Sequence, residues 1–274
     1  MNSLPIDFYE QIIILRKAFD LPALIKPALL TGNFGFCAAE IQCKLNFSIL
    51  NIKDGELENY HHSGPDLPNY RVYKVVNLKS QSALPPSEDL RKRLKNFIQH
   101  PGILLLVLWS EELSDEWIQL ISLWDVPLSL HVWENKNSIF KLLPILLRKQ
   151  QLLELRLFKN PSEENAAIIA QFLTQPQFSL LQTRAFQVYG KIMDLHKENP
   201  EKFIGKAVIC NWKIEIHDDS YQRIGRFQPN LLRFQKGNVI VDYFNYDATE
   251  KTSDKKFLTG VVRTEMRFVN CSSE

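Results

Sequence analysis

The feature that most constrains this chain is an alternation of leucines that restarts at near-constant intervals. Residues 103–109, 127–133 and 152–158 each end on an aromatic, Trp109, Trp133 and Phe158. Residues 181–186 form a weaker fourth copy and residues 207–212 a fifth. The aromatics fall at 109, 133, 158, 186 and 212, with gaps of 24, 25, 28 and 26 residues. One, three and five residues before the first three aromatics stand Leu108, Leu106 and Leu104, then Val132, Leu130 and Leu128, then Leu157, Leu155 and Leu153. A period of two puts each set on one side of a strand.

Helical patterns lie between these strands. Trp117, Leu120, Ile121 and Trp124 recur at i, i+3, i+4 and i+7, after the cap and first turn Ser114-Asp115-Glu116. Ala166, Ile169, Ala170 and Leu173 repeat the spacing behind Pro161-Ser162-Glu163-Glu164. Residues 139–147 are apolar nearly all round, and Pro144 makes that helix start late or kink. The pattern of a fourth helix, over residues 188–196, is the least regular. Strands joined by helices run parallel, and a unit of about 25 residues falls in the leucine-rich-repeat range.

The off-phase residues choose between a sheet covered on both faces and one covered on a single face. They are Ser129 and His131, Glu154 and Arg156, Gln182 and Arg184, all polar. Strands covered on both faces are apolar on both, so one face here is expected to meet water. The first strand, with Leu105 and Val107 off phase, is expected to be covered, with the N-terminal segment as the candidate. The expected fold is α/β: an irregular leucine-rich-repeat-like strand–helix array on a parallel sheet, with an N-terminal helical segment and an antiparallel C-terminal cap.

The flanks divide the chain into residues 1–36, a helical segment; 37–84, strands and linker; 85–212, the array; and 213–274, the cap. Residues 44–50 alternate as a strand, Lys53-Asp54-Gly55 is a turn, residues 57–61 a return strand and residues 70–78 a further strand. Pro85-Pro86-Ser87-Glu88 opens a helix with Leu90, Leu94, Phe97 and Ile98 on one face, and residues 80–86 are the internal boundary. Residues 231–234 and 239–246 flank a hairpin signal. Val262, Thr264, Met266 and Phe268 alternate along a last strand.

Composition narrows the function classes. The net charge of +2 gives no bias toward nucleic acid or an anionic membrane. No apolar run reaches the roughly 20 residues that span a bilayer, and residues 1–7 lack a secretory leader's basic start. The location expected is therefore the cytoplasm, with the nucleus possible. Cys37, Cys43, Cys210 and Cys271 form no C-x-x-C pair and read as free thiols. There is no Gly-rich phosphate loop and no G-x-S-x-G. His61, His62 and Asp66 read as a solvated loop rather than metal ligands, and residues 217–220 as a polar loop rather than an acid–base cluster. Arg91, Lys92, Arg93 and Lys95 read as a solvated helix face. Trp109, Trp133, Phe158 and Trp212 read as core. No catalytic residue, metal or cofactor is expected.

The first thirty residues differ from the rest. Leu4-Pro5 opens a segment in which Phe8, Ile12 and Leu15 share a helical stripe with Ile13 beside it, and residues 20–25 start a second short helix. Residues 3–30 resemble a divergent F-box, and the whole layout is similar to nematode F-box-like proteins with a leucine-rich α/β body. The motif's third helix carries a basic–aromatic cluster. Here residues 33–42 hold Phe34 and Phe36 but neither Trp nor Arg. The resemblance implies that Leu4, Pro5, Phe8, Ile12 and Ile13 touch a Skp1-type adaptor of a cullin-based ubiquitin ligase. The alternative is that Leu4, Phe8, Ile12 and Ile13 pack on the end of the array.

The function expected is thus a non-catalytic protein-interaction module, the substrate-recognition subunit of such a ligase. The alternative is a stand-alone protein-binding scaffold. Ser129, His131, Glu154, Arg156, Gln182 and Arg184 are expected to line the recognition face in two rows. One of these, His131–Arg156–Arg184, is basic, which predicts a protein partner with an acidic or phosphorylated epitope.

Overall fold

The computed structural model describes residues 46–63, 72–79, 84–99, 102–134, 137–158, 160–210, 222–228, 231–236, 239–246 and 263–270. The N-terminal segment with Leu4, Pro5, Phe8, Ile12 and Ile13, residues 217–220, and Trp212 lie outside them.

Two hairpin strands come first, β1 (Asn46–Lys53) and β2 (Glu56–Ser63). The turn between them uses Asp54 and Gly55 at φ 50° and 82°, the left-handed region that glycine and aspartate tolerate best. β3 (Val72–Lys79) pairs parallel with β1. The repeating part is α1 (Glu88–Gln99), β4 (Gly102–Leu108), α2 (Asp115–Ser122), β5 (Leu128–Val132), α3 (Asn137–Phe140), α4 (Leu143–Lys149), β6 (Leu152–Leu157), α5 (Glu163–Gln171), β7 (Leu180–Thr183), α6 (Phe186–Glu198) and β8 (Ala207–Cys210). The tail is β9 (Gln222–Gln228), β10 (Leu231–Lys236), β11 (Val239–Tyr246) and β12 (Arg263–Asn270).

These strands form one twelve-stranded sheet in the order β2-β1-β3-β4-β5-β6-β7-β8-β12-β11-β10-β9. β1 and β3 through β8 are parallel, whereas β2 and the last four strands are antiparallel to their neighbours. The α/β array and the antiparallel C-terminal strands are both present, and the cap extends the array's own sheet. Residues 80–86 separate no sheets, because β3 and β4 are hydrogen-bonded neighbours.

Right-handed crossovers that advance always in one direction leave their helices on one face. Leu90, Leu94 and Ile98 of α1, Trp117 and Ile121 of α2, Leu143 and Leu146 of α4, Ile169 of α5 and Ile192 of α6 share a single core. That core includes the inward strand residues Leu104, Leu106, Leu108, Leu128, Leu130, Val132, Leu155, Leu157, Leu181, Val208 and Cys210. Among the described residues, every helix lies on this side.

Local chemistry fixes the helices. Ser114 and Ser162 accept hydrogen bonds from the backbone N–H groups of Trp117 and Asn165, capping α2 and α5. Pro144 falls in the first turn of α4, where a missing N–H costs least, so the apolar run is split into α3 and α4. The irregular stretch near residue 188 becomes α6, thirteen residues long. Side chains from the following unit then bind carbonyls in or just beyond α2, α4 and α5. Gln151 donates to the Trp124 carbonyl at 2.6 Å, Gln175 to that of Leu147, and Lys206 to those of Gln175, Pro176 and Phe178. Lys74, buried under α1, donates to the Ile98 carbonyl at 2.7 Å in the helix's last turn, where a cation is favoured.

Candidate functional site: the helix-free face

The strand residues that alternate with the inward ones point away from the helices and fall into two registered rows. One runs Val75–Leu105–Ser129–Glu154–Leu180–Ala207, the other Asn77–Val107–His131–Arg156–Gln182–Ile209. Five of the six residues expected on the recognition face therefore lie in these two rows, on adjacent strands. Arg184 is the exception. Gln182, not Arg184, follows Arg156, so the expected basic row does not exist as such.

Two physical events cause the shift. A bulge in β6 sets Leu152 opposite Leu128 and Glu154 opposite Ser129, leaving Leu153 as the extra residue. Leu152 therefore takes the core position that the alternation had given to Leu153. Next, β7 stops at Thr183, and Phe186, the apparent fourth aromatic, instead opens α6, 68% exposed. The position equivalent to Phe158 is held by Arg184.

The polar centre of the face is compact. Glu154 is fully buried, and its Oε1 carries the Arg156 guanidinium; His131 Nε2 stands 3.6 Å from the same oxygen. Glu154 Oε2 and Ser129 Oγ, on paired positions of neighbouring strands, have no hydrogen-bond partner among the described residues. The hydroxyl thus bonds neither His131 nor Glu154, and the three side chains form no nucleophile–base relay. Arg156's charge is matched by Glu154. Farther along, Arg233 makes a two-toothed pair with Asp242 at 2.7 and 3.0 Å. Arg267 bonds Glu265 at 2.7 Å.

At the C-terminal ends of the parallel strands the face carries a third row, which the sequence reading had placed in the core. Trp109, Trp133 and Phe158 are each the first residue beyond a strand. Their N–H groups continue the sheet ladder to the carbonyls of Leu78, Leu108 and Val132. One step past the inward Leu108, Val132 and Leu157, the aromatics must point outward. The rings stack, Trp109 on Trp133 at 4.6 Å and 6°, Trp133 on Phe158 at 4.0 Å and 10°. Arg184 lies over the other face of Phe158, 5.6 Å from its centroid. Trp109 and Trp133 remain 42% and 37% exposed. The parity of the aromatics was the signal in the sequence: they share the phase of Ser129 and His131.

The other candidates resolve without a site. His61 and His62 lie in β2 rather than in a loop, with the hydroxyl of Ser48 2.7 Å from His62 Nδ1. In the basic run of α1, Arg93 pairs with Asp89 at 2.7 Å and Lys92 with Glu88 at 4.0 Å, each one turn away on a solvated face. Cys210 is buried, and burial pushes its thiol up to about 12. Among the described residues no cluster of ligating side chains could hold a metal, and no helix is long and apolar enough to cross a membrane.

Among the described residues the fold and face define an α/β sheet with its helices on one side and, on the other, a buried Ser129–Glu154 centre edged by a half-exposed aromatic row. Compared with protein-family models, curated proteins and solved structures, the chain matches none.

Proposed function

We propose that the chain is a non-catalytic protein-interaction module acting as the substrate-recognition subunit of a cullin-type ubiquitin ligase. The observation that carries the binding half is the row Trp109–Trp133–Phe158–Arg184. Trp and Arg dominate binding hot spots because each combines large apolar area with directional donors. Exposing two indoles in one row is costly unless another surface covers them. Protein partners suit a helix-free sheet face of this kind, with Arg184 offering the cation for an acidic or phosphorylated epitope. Ser129, His131, Glu154, Arg156 and Gln182 form the polar floor beside it.

The ligase half rests on the resemblance of residues 3–30 to an F-box, through Leu4, Pro5, Phe8, Ile12 and Ile13. A cytoplasmic or nuclear location accords with it. Two pull-downs test the halves separately. A purified Skp1-type adaptor should be retained by the wild-type chain and lost with Leu4→Ala/Phe8→Ala. Equal retention by both removes the ligase half and leaves a stand-alone scaffold. Partner recovery from cells should fall with Trp133→Ala and with Arg184→Glu; recovery unchanged by either removes the binding face.

A further inference from the structure

Among the described residues the sheet ends on one side at β2, where Glu56, Glu58, Asn59, Tyr60 and His61 are all exposed. Open edges invite strand addition, and proteins blunt them with charges and bulges. Here only the half next to the turn is blunted. The β1–β2 register shifts there, the Ser87 hydroxyl donates to Glu56 at 3.0 Å, and Lys79 lies 3.8 Å from Glu58. From Asn59 to Ser63 the pairing with β1 is regular, and no acid, lysine or proline interrupts it. A chain of side-chain amides runs across the helix-free face to this unblunted half. Asn77 Nδ2 donates to Asn51 Oδ1 at 2.8 Å, and Asn51 Nδ2 donates to Asn59 Oδ1 at 2.6 Å. The three residues are register partners on β3, β1 and β2. The chain therefore has a direction, with each amide donating toward the edge. At its end the Asn59 carbonyl has its donor, and Asn59 Nδ2 donates to nothing among the described residues. Tyr60, next along β2, is 54% exposed, with its ring edge-on to Phe97 of α1 at 6.4 Å.

We infer that β2 accepts an added strand from a protein partner, with an asparagine opposite Asn59 and an apolar residue opposite Tyr60. Main-chain hydrogen bonds give such an added strand its affinity, and alternate side chains give it specificity. The outward amide of Asn59 asks for a side-chain acceptor in register, and an asparagine there repeats the spacing that links Asn77, Asn51 and Asn59. That chain already crosses one parallel and one antiparallel strand pair, so either strand direction can continue it. The neighbouring residue of the added strand points to the other face, where Tyr60 offers it apolar area. A second copy paired with Asn59 against Asn59 would turn donor toward donor, so the polarity selects a different chain. This edge lies three strands from β4, where the aromatic row begins, and does not depend on that row.

The probe is the capped peptide Ac-Thr-Val-Asn-Val-Thr-NH2, titrated into the full chain while backbone amides and asparagine side-chain NH2 signals are followed by NMR. Its control carries leucine in place of the asparagine. The asparagine peptide should shift the amides of residues 59–63 and the side-chain NH2 of Asn59. It should bind about fivefold more tightly than the control, the worth of one added hydrogen bond. Asn59→Val, at an exposed strand position that valine suits, should make the two peptides bind equally. Equal binding of the two peptides to the wild-type chain, or no shift at residues 59–63, overturns the inference. So does broadening of the same amides with protein concentration alone, removed by Asn59→Val, which would give the edge to a second copy of the chain.

Discussion

Glu154 sits fully buried on a face without a helix, holding Arg156 and facing His131. Removing one member of a buried ion pair leaves the other charge uncompensated and costs about 3 kcal/mol, whereas replacing both by apolar groups is often near neutral. Glu154→Leu should therefore lower the urea midpoint sharply and Glu154→Leu/Arg156→Leu should recover most of it. A double variant as unstable as the single would show that the pair is not what holds these strands. Lys74 and Cys210 give a second residue-scale prediction. Burial holds Lys74 down at about 8, below its usual 10.5, so above pH 8 the unfolded chain keeps a proton that the folded one releases. Stability then rises with pH. Burial raises Cys210 to about 12 from 9.0, and above 9 it has the opposite effect. Burial lowers Lys206 as well, and it acts in the same direction as Lys74. Urea midpoints at about pH 8 and about pH 9 should show the rise in wild type and a smaller rise in Lys74→Met.

At the scale of elements, legibility followed the strictness of the alternation. β5 keeps it without interruption, and its inward Leu128, Leu130 and Val132 were readable directly, whereas β4 is apolar in both phases and its inward leucines are marked only by their spacing from Trp109. β6 begins Leu152-Leu153, apolar in both phases, so nothing marked the bulge that makes Leu152 the core residue. β7 is four residues long and its nearest aromatic belongs to α6, which drew the alignment two positions too far. Helix starts were legible where Ser caps and Pro fix them. The end stitches by Gln151, Gln175 and Lys206 were not, because they join residues 27 or more apart in sequence. The β1–β2 turn supplies a test at this scale. The Gly55 carbonyl accepts from the Ser87 N–H at 3.0 Å, and a Cβ on Gly55 would collide with the Pro85 carbonyl. Gly55→Ala, strained also by its positive φ, should cost about 2 kcal/mol or more. Amide exchange should report it first in the hairpin and the start of α1. Unchanged protection there would show that the hairpin and α1 are not coupled.

For the whole molecule, the class of fold was legible from periodicity, and so was the absence of helices from the off-phase face among the described residues; the water expected against that face does not reach Ser129 and Glu154, which are buried. The exposed stack was missed because spacing was weighed and parity was not. Deleting the stack's middle ring by Trp133→Ala should cost less stability than a buried leucine-to-alanine change, which runs about 2–5 kcal/mol, because the ring is already 37% exposed. A larger loss in thermal unfolding would make the row a structural spine rather than a surface.

The strand order carries a last consequence. β12, the final described strand, lies between β8 and β11, and β9, β10 and β11 reach the parallel array only through it. A nascent polypeptide that has not yet released residue 263 from the ribosome holds an array ending in the bare rim of β8. Beside it hangs a three-stranded meander with nothing to join. During synthesis that rim is a template for a neighbouring chain, and only arrival of the last strand closes it.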